Sequence, residues 1–218
     1  MLFQSERRLT RAFARSTPLA VILRRMNPPL ILASSSPYRA DLLRRFGLPF
    51  TIRRPDVDES ALPGESPRDT TLRLARLKAA TIAADHPEAL VIGSDQLASL
   101  NGAALGKPLT LPAARAQLAR LSGQSVTFHT AVCVIDPATS SLHVQEVPCE
   151  VAYRTLDAAR IERYLAREPA LDCAGATKIE GLGIAMARHV RCDDPTALIG
   201  LPLIALTELL AACGVEVP

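Results

Sequence analysis

An α/β fold built on a mixed sheet is predicted by three features of the sequence. Short apolar runs at Leu30 to Ala33 and Leu90 to Ile92 alternate with capped helical stretches, the pattern of parallel βα units. Two longer β-rich runs, Val126 to Ile135 and Leu142 to Arg154, flank a turn containing Asp136 and Pro137, so an antiparallel pair joins the parallel part. A chain of 218 residues with 48% hydrophobic but only 4% aromatic residues has enough aliphatic material for one sizeable core.

The elements follow in order. Leu30, Ile31, Leu32 and Ala33 read as a buried strand, and Ser36-Pro37 as an N-cap followed by the first helical position. That helix is predicted to run to Phe46 and to stop at Gly47, where a left-handed residue is tolerated. Ser66 opens a second helix from Pro67 to Ala84, with Leu72, Ala75, Ala79, Ile82 and Ala83 on one side and Pro87 beyond its end. After the strand Leu90 to Ile92, Thr110 caps a helix from Leu111 to Leu121 that Gly123 stops. The antiparallel pair comes next. Asp157 then caps a helix reaching Arg167, with Leu156 and Ile161 as a hydrophobic staple, and a last helix from Pro202 to Cys213 ends at Gly214. No internal repeat or linker interrupts the chain.

Net charge is +3, but it is unevenly placed. Arg7, Arg8, Arg11, Arg15, Arg24 and Arg25 against Glu6 give the first 25 residues +5 and leave −2 for the remainder. A near-neutral body argues against a nucleic-acid polymer as partner, because that surface needs clustered basic residues on the folded domain. The uncharged leader run from Ser16 to Leu23 is too short to span a bilayer and too weak for a secretory signal, so no membrane and a cytoplasmic location are expected. Residues 1–25 read as a disordered extension or as preceding the true start at Met26, and residues 26–218 as a single domain.

The five cysteines, Cys133, Cys149, Cys173, Cys192 and Cys213, are odd in number, widely spaced and never in C-x-x-C, so neither a disulfide framework nor a zinc site is expected. The four histidines lie far apart, with no serine in a G-x-S-x-G elbow, and offer no triad signature. No P-loop occurs either.

What the sequence does offer is a phosphate cradle. The free N–H groups at the helix start after Ser34, Ser35 and Ser36, the helix dipole and Arg39 one turn in would suit an anion, although Ser-Pro also serves as a plain helix cap. Asp95 follows the second strand, Asp58 and Glu59 lie in a loop, Lys78 projects from a helix and Lys107 sits in a Gly-Lys-Pro turn. Three cations and three carboxylates at strand ends suit a triphosphate carried by a hard divalent metal.

A-S-S-S-P-Y-R at Ala33 to Arg39, P-D-V-D-E at Pro55 to Glu59, R-L-A-x-x-K-A at Arg73 to Ala79 and I-G-S-D-Q at Ile92 to Gln96 occur in that order. G-K-P-L at Gly106 to Leu109, C-A-G-x-x-K-x-E-G-x-G at Cys173 to Gly183 and G-L-P-L at Gly200 to Leu203 complete a pattern that resembles the Maf family. The resemblance implies a two-lobed α/β fold around a central cleft and hydrolysis of a nucleoside triphosphate to a monophosphate and pyrophosphate. It places the catalytic acid on Asp95, the lysines on Lys78 and Lys107, phosphate binding on Ser34 to Ser36 and Arg39, and the acidic loop residue on Glu59. Asp95 acts as base or, with Glu59, as ligand of Mg²⁺, for which Mn²⁺ or Co²⁺ could substitute. Tyr38, Gln96 and Glu180 resemble the YceF-like subfamily and imply 7-methyl-GTP as substrate. N7-methylation leaves guanine cationic, so Tyr38 would hold it by stacking, Glu180 by accepting from N1–H and the N2 amine, and Gln96 by a further contact. Tryptophan is common in the subfamily where Tyr38 stands, which implies looser selectivity here. A dTTP, UTP or broad nucleotide pyrophosphatase and a nucleotide-binding septum regulator are the alternatives. The resemblance also implies a homodimer.

Overall fold

The computed structural model describes residues 28–217, so the expected extension at residues 1–25 lies outside them. Seven strands form one continuous sheet in the order β2-β1-β3-β5-β6-β7, with β4 paired to β3. They are β1 (Leu30–Ala33), β2 (Thr51–Arg53), β3 (Leu90–Leu100), β4 (Ala103–Leu105), β5 (Ser125–Ile135), β6 (Leu142–Tyr153) and β7 (Ala187–Cys192). The helices are α1 (Pro37–Arg44), α2 (Pro67–Asp85), α3 (Leu111–Leu121), α4 (Ala158–Arg167) and α5 (Leu203–Ala212). The mixed character is as expected: β1 runs parallel to β2 and β3, and every other pairing is antiparallel.

The N-caps at Ser36, Ser66, Thr110 and Asp157 each accept a hydrogen bond from the backbone N–H three residues on. Helix ends shift by a residue or two from expectation, as fraying ends do; α1 stops at Arg44, with Gly47 at φ +66° beyond it. The larger correction concerns β3. The strand expected to end at Ile92 continues to Leu100, because Gly93 through Ser99 remain paired with Cys133 through Thr127 of β5. Pairing to β1 nevertheless stops at Ala33–Gly93. Asp95 therefore lies inside a strand, two residues past the end of the parallel pairing.

The helices divide unevenly over the sheet. α1, α3, α4 and α5 supply the large core, where Leu32, Leu118, Leu121 and Leu206 are fully buried; each such side chain stabilises the fold by roughly 1.5–3 kcal/mol over its exposed state. α2 covers the other face, packing Ala75, Ala79 and Ile82 on Ile31, Ala33, Val91, Ala131 and Cys133. The small residues let α2 come very close. A Cβ on Gly93 would lie 2.7 Å from the Ala79 backbone nitrogen and nearer still to the Ala75 carbonyl oxygen. Glycine at position 93 thus sets the α2–β3 distance.

Two groupings that isolated residues do not announce arise because strand pairing joins distant positions. Cys149 and Cys192 are direct partners across β6 and β7, with Cα atoms 4.5 Å apart and their sulfurs in contact. His129 on β5 stands between Ser99 on β3 and Glu146 on β6, with Nε2 3.2 Å from Ser99 Oγ and Nδ1 3.0 Å from Glu146 Oε1. This Ser-His-Glu row ties three strands together and contributes no residue to the cleft described next.

Candidate active site

Where the parallel pairing ends, a cleft of about 580 Å³ opens. That is the edge at which open α/β sheets bind ligands, and the volume suits a nucleotide. Arg39, Arg54, Lys78 and Lys107 line it, together with Asp56, Glu59, Asp95, Asp172 and Glu180. Every site residue named from the sequence except Asp58 is among the lining residues; Asp58 is exposed and turns its carboxylate to the Ser60 N–H instead.

The turn between β1 and α1 forms one wall. Ser34 is buried, and its Oγ accepts from the Ser36 N–H at 3.1 Å; Ser36 Oγ caps α1, while Ser35 is exposed. Arg39 is fixed from behind. Its Nε donates to the Gly200 carbonyl at 2.8 Å, and Ser94 Oγ donates to that same oxygen at 2.9 Å. Gly200 has φ +119°, a conformation that L side chains rarely adopt, so the carbonyl that holds Arg39 depends on glycine. Burial pulls the Arg39 pKa down and Asp95 and Glu59 push it back; an arginine stays charged regardless.

At the floor, Lys78 Nζ bridges two carboxylates, 2.7 Å from Asp95 Oδ1 and 2.9 Å from Glu59 Oε1. The Lys78 and Asp95 side chains are about 5% and 6% exposed, whereas Glu59 is 60% exposed. Burial pushes the Asp95 carboxyl above its ordinary range, with Lys78 and Arg39 pulling it back. Asp95 Oδ2 has no protein hydrogen bond among the described residues, which leaves it open to a water. Lys107 is exposed on the loop after β4 and forms no ion pair among the described residues.

The far wall is aromatic and acidic. Tyr38 donates its hydroxyl to Asp172 Oδ2 at 3.2 Å, and the Lys178 ammonium lies 4.9 Å from the centre of its ring. Burial raises the Tyr38 pKa, and Cys173, Asp172 and Glu180 raise it further; the wall thus sets the Asp172 and Glu180 carboxyls beside a ring that the Lys178 ammonium already contacts. Glu180 lies on the glycine-rich loop between Cys173 and Gly183, its carboxyl raised chiefly by desolvation. Gln96 differs from expectation. Its amide nitrogen lies 3.0 Å from Thr130 Oγ1, 2.7 Å from the Ala197 carbonyl and 3.1 Å from the Leu198 carbonyl. The nitrogen is thus spent on the turn that presents Gly200, and Oε1 is what Gln96 has left for a ligand.

Sequence reasoning assigned no role to Arg54, Ser94, Asp172 or Lys178. Ser94 and Lys178 sit inside the quoted I-G-S-D-Q and C-A-G-x-x-K runs, so a signal was present; Asp172 becomes significant only when the fold brings it to Tyr38.

Glu59 and Asp95 converge from two elements on the Lys78 ammonium, so the oxygens left for a hard divalent cation are the ones not given to Lys78, Asp95 Oδ2 and Glu59 Oε2. No cluster of three or more metal-binding side chains is found among the described residues, so a cage made by protein alone does not fit.

Fold and cleft together define an α/β protein with a cleft of charged side chains at the parallel end of a mixed sheet. The chain belongs to the family described as Maf-like protein, whose model matches residues 29–213. It is 56% identical over 191 residues to the 7-methyl-GTP pyrophosphatase of Xanthomonas axonopodis pv. citri (strain 306), a match covering 88% of this chain and 100% of the relative. The proteins of the same name from Methylobacillus flagellatus (52% over 190 residues; 87% of this chain, 99% of the relative) and Pseudomonas syringae pv. tomato (51% over 191 residues; 88% and 100%) are similar along the same stretch.

Proposed function

We propose that this chain is a nucleoside triphosphate pyrophosphatase that hydrolyses 7-methyl-GTP to 7-methyl-GMP and pyrophosphate. The observation that carries the reading is the buried Asp95 held against Lys78 and facing Arg39 in a cleft whose aromatic wall is acidic. The names of the relatives point to the same reaction.

In this reading the Tyr38 N–H, which the first turn of α1 leaves free, Arg39 and Lys107 hold the triphosphate, and Lys78 neutralises charge gathering on the departing oxygens. Asp95 accepts a proton from a water aimed at the α-phosphorus. The new P–O bond forms as the bond from the α-phosphorus to the α–β bridging oxygen breaks, and pyrophosphate leaves with the electron pair. Glu59 and Asp95 are the groups that would hold a substrate-borne Mg²⁺, with Mn²⁺ or Co²⁺ compatible with the same oxygens; the ion would add charge stabilisation on the phosphates. Tyr38 stacks on the cationic base, and Glu180 accepts from its N1–H and N2 amine. No helix among the described residues is long and apolar enough to cross a membrane, and a free nucleotide of the cytoplasm is the substrate this reading requires.

A panel of 7-methyl-GTP, GTP, dTTP, UTP and ITP tests it. The highest kcat/KM is expected for 7-methyl-GTP; a preference for dTTP or UTP overturns the assignment of Tyr38 and Glu180, and equal rates show that only the triphosphate is read.

A further inference from the structure

The loop that carries Glu59 has no apolar anchor: residues 58–64 are all exposed. Its shape therefore has to come from hydrogen bonds, and one side chain of α2 makes most of those that tie it to the fold. Arg73 donates from Nε to Glu65 Oε1 at 2.7 Å, from Nη2 to Glu65 Oε2 at 2.8 Å, and from Nη2 to the Ser60 carbonyl at 2.9 Å. Glu65 in turn accepts from the Leu62 N–H at 3.0 Å, and Asp58 Oδ1 accepts from the Ser60 N–H at 2.9 Å. The anchor itself belongs to the start of the helix. Glu65 immediately precedes Ser66, the N-cap of α2, and only 10% of its side chain is exposed, against 27% for Arg73.

Lys78, one and a half turns further along the same helix, takes Glu59 at 2.9 Å, while Arg73 takes the carbonyl of the next residue, Ser60. Two successive loop residues are thus held by two cations of one helix. We propose that Arg73, clamped bidentately to Glu65, is a positioning residue that holds Glu59 over the Lys78–Asp95 pair. The inference rests on the proposed pyrophosphatase reading for its kinetic consequence, but not for its structural one. The fork geometry matters: a guanidinium reaches a carboxylate and a carbonyl together, whereas a lysine provides one point charge. Hydrogen bonding to Arg73 and Leu62 also holds the Glu65 pKa down at about 2, so the clamp persists throughout the pH range in which a carboxylate base is ionised.

The test is a cycle of Arg73→Gln, Glu65→Gln, Glu59→Gln and the two doubles with Glu59→Gln, read by kinetics on 7-methyl-GTP and by amide hydrogen exchange of the folded proteins. Arg73→Gln and Glu65→Gln are each expected to lower kcat roughly tenfold or more, as slight misplacement of a reacting group does, with KM changed less than about twofold. In the Glu59→Gln background either change is expected to cost less than about twofold, because the residue it positions is already lost. Exchange at Ser60 and Leu62 is expected to speed up in both single variants while the middle of α2 stays protected. Equal losses with and without Glu59, or unchanged exchange at Ser60 and Leu62, overturn the proposal. Should the wild-type protein turn over no nucleotide, the pyrophosphatase reading fails while the exchange arm still decides whether Arg73 holds the loop.

Discussion

Lys78 Nζ donates to Asp95 Oδ1 at 2.7 Å across the contact between α2 and β3, and both side chains are nearly removed from solvent. The pair exists because α2 rests directly on Gly93, two residues before Asp95, through Ala75 and Ala79, which flank Lys78 on the helix. A buried charge pair is a weak source of stability but an exacting fixture, since removing either partner strands the other. Its placement at the end of the parallel pairing ties the architecture of the sheet to the chemistry of the cleft.

Gly93→Ala tests that fixture. The added methyl group meets the Ala75 carbonyl and the Ala79 backbone, neither of which can rotate away. Destabilisation of about 1–3 kcal/mol is expected from overpacking, seen as a lower melting temperature, with activity falling further as Lys78 is pushed from Asp95. A fully active variant of wild-type stability would show that α2 has room to move.

Asp95→Asn separates chemistry from folding. Turnover is expected to fall by roughly 10²–10⁴ while nucleotide binding persists. Because burial raises the Asp95 pKa, its ionisation costs stability, and this cost grows as pH rises through the raised value. The variant is therefore expected to gain on the wild type in melting temperature between acidic and mildly alkaline pH, a trend that thermal melts across pH will check.

The same shift governs the pH–rate profile. The acid limb of kcat/KM is expected to lie above the ordinary aspartate value of about 3.9, since the base must ionise inside the cleft. A limb at or below that value would assign it to another group.

Tyr38 sets how strongly the wall holds a cation. Tyr38→Trp is expected to raise the preference for 7-methyl-GTP over GTP by about two- to fivefold, and Tyr38→Leu to erase most of it, given cation–π energies of roughly 0.5–1 kcal/mol. The ratio of kcat/KM values for the two nucleotides gives the answer directly.

Arg39→Lys is expected to raise KM for the triphosphate roughly tenfold. A lysine has no Nε–H to spend on Gly200 while presenting a second donor to phosphate.

The parts of this molecule that follow from local chemistry were readable in the amino-acid order: the four N-caps, the β1–α1 turn and the antiparallel β5–β6 pair are set by neighbours within a few residues. The motif residues converge on one cleft as the resemblance implied. Hidden were features made by pairing between distant strands or by a loop folding onto a helix. β3 continues through Gly93 and Ser94 because β5 lies alongside, although those residues look like a strand end. Cys149 meets Cys192, and His129 meets Ser99 and Glu146, only through register. Gln96 looks free in sequence, yet its nitrogen is committed to carbonyls about a hundred residues away in the chain.

The most direct test of Asp95-driven attack on the α-phosphorus is turnover of 7-methyl-GTP in ¹⁸O-labelled water. One ¹⁸O is expected in each 7-methyl-GMP formed, with the pyrophosphate unlabelled, and Asp95→Asn is expected to slow the appearance of labelled 7-methyl-GMP by roughly 10²–10⁴. Label in pyrophosphate or orthophosphate, or labelled 7-methyl-GMP formed by Asp95→Asn at the wild-type rate, would contradict it.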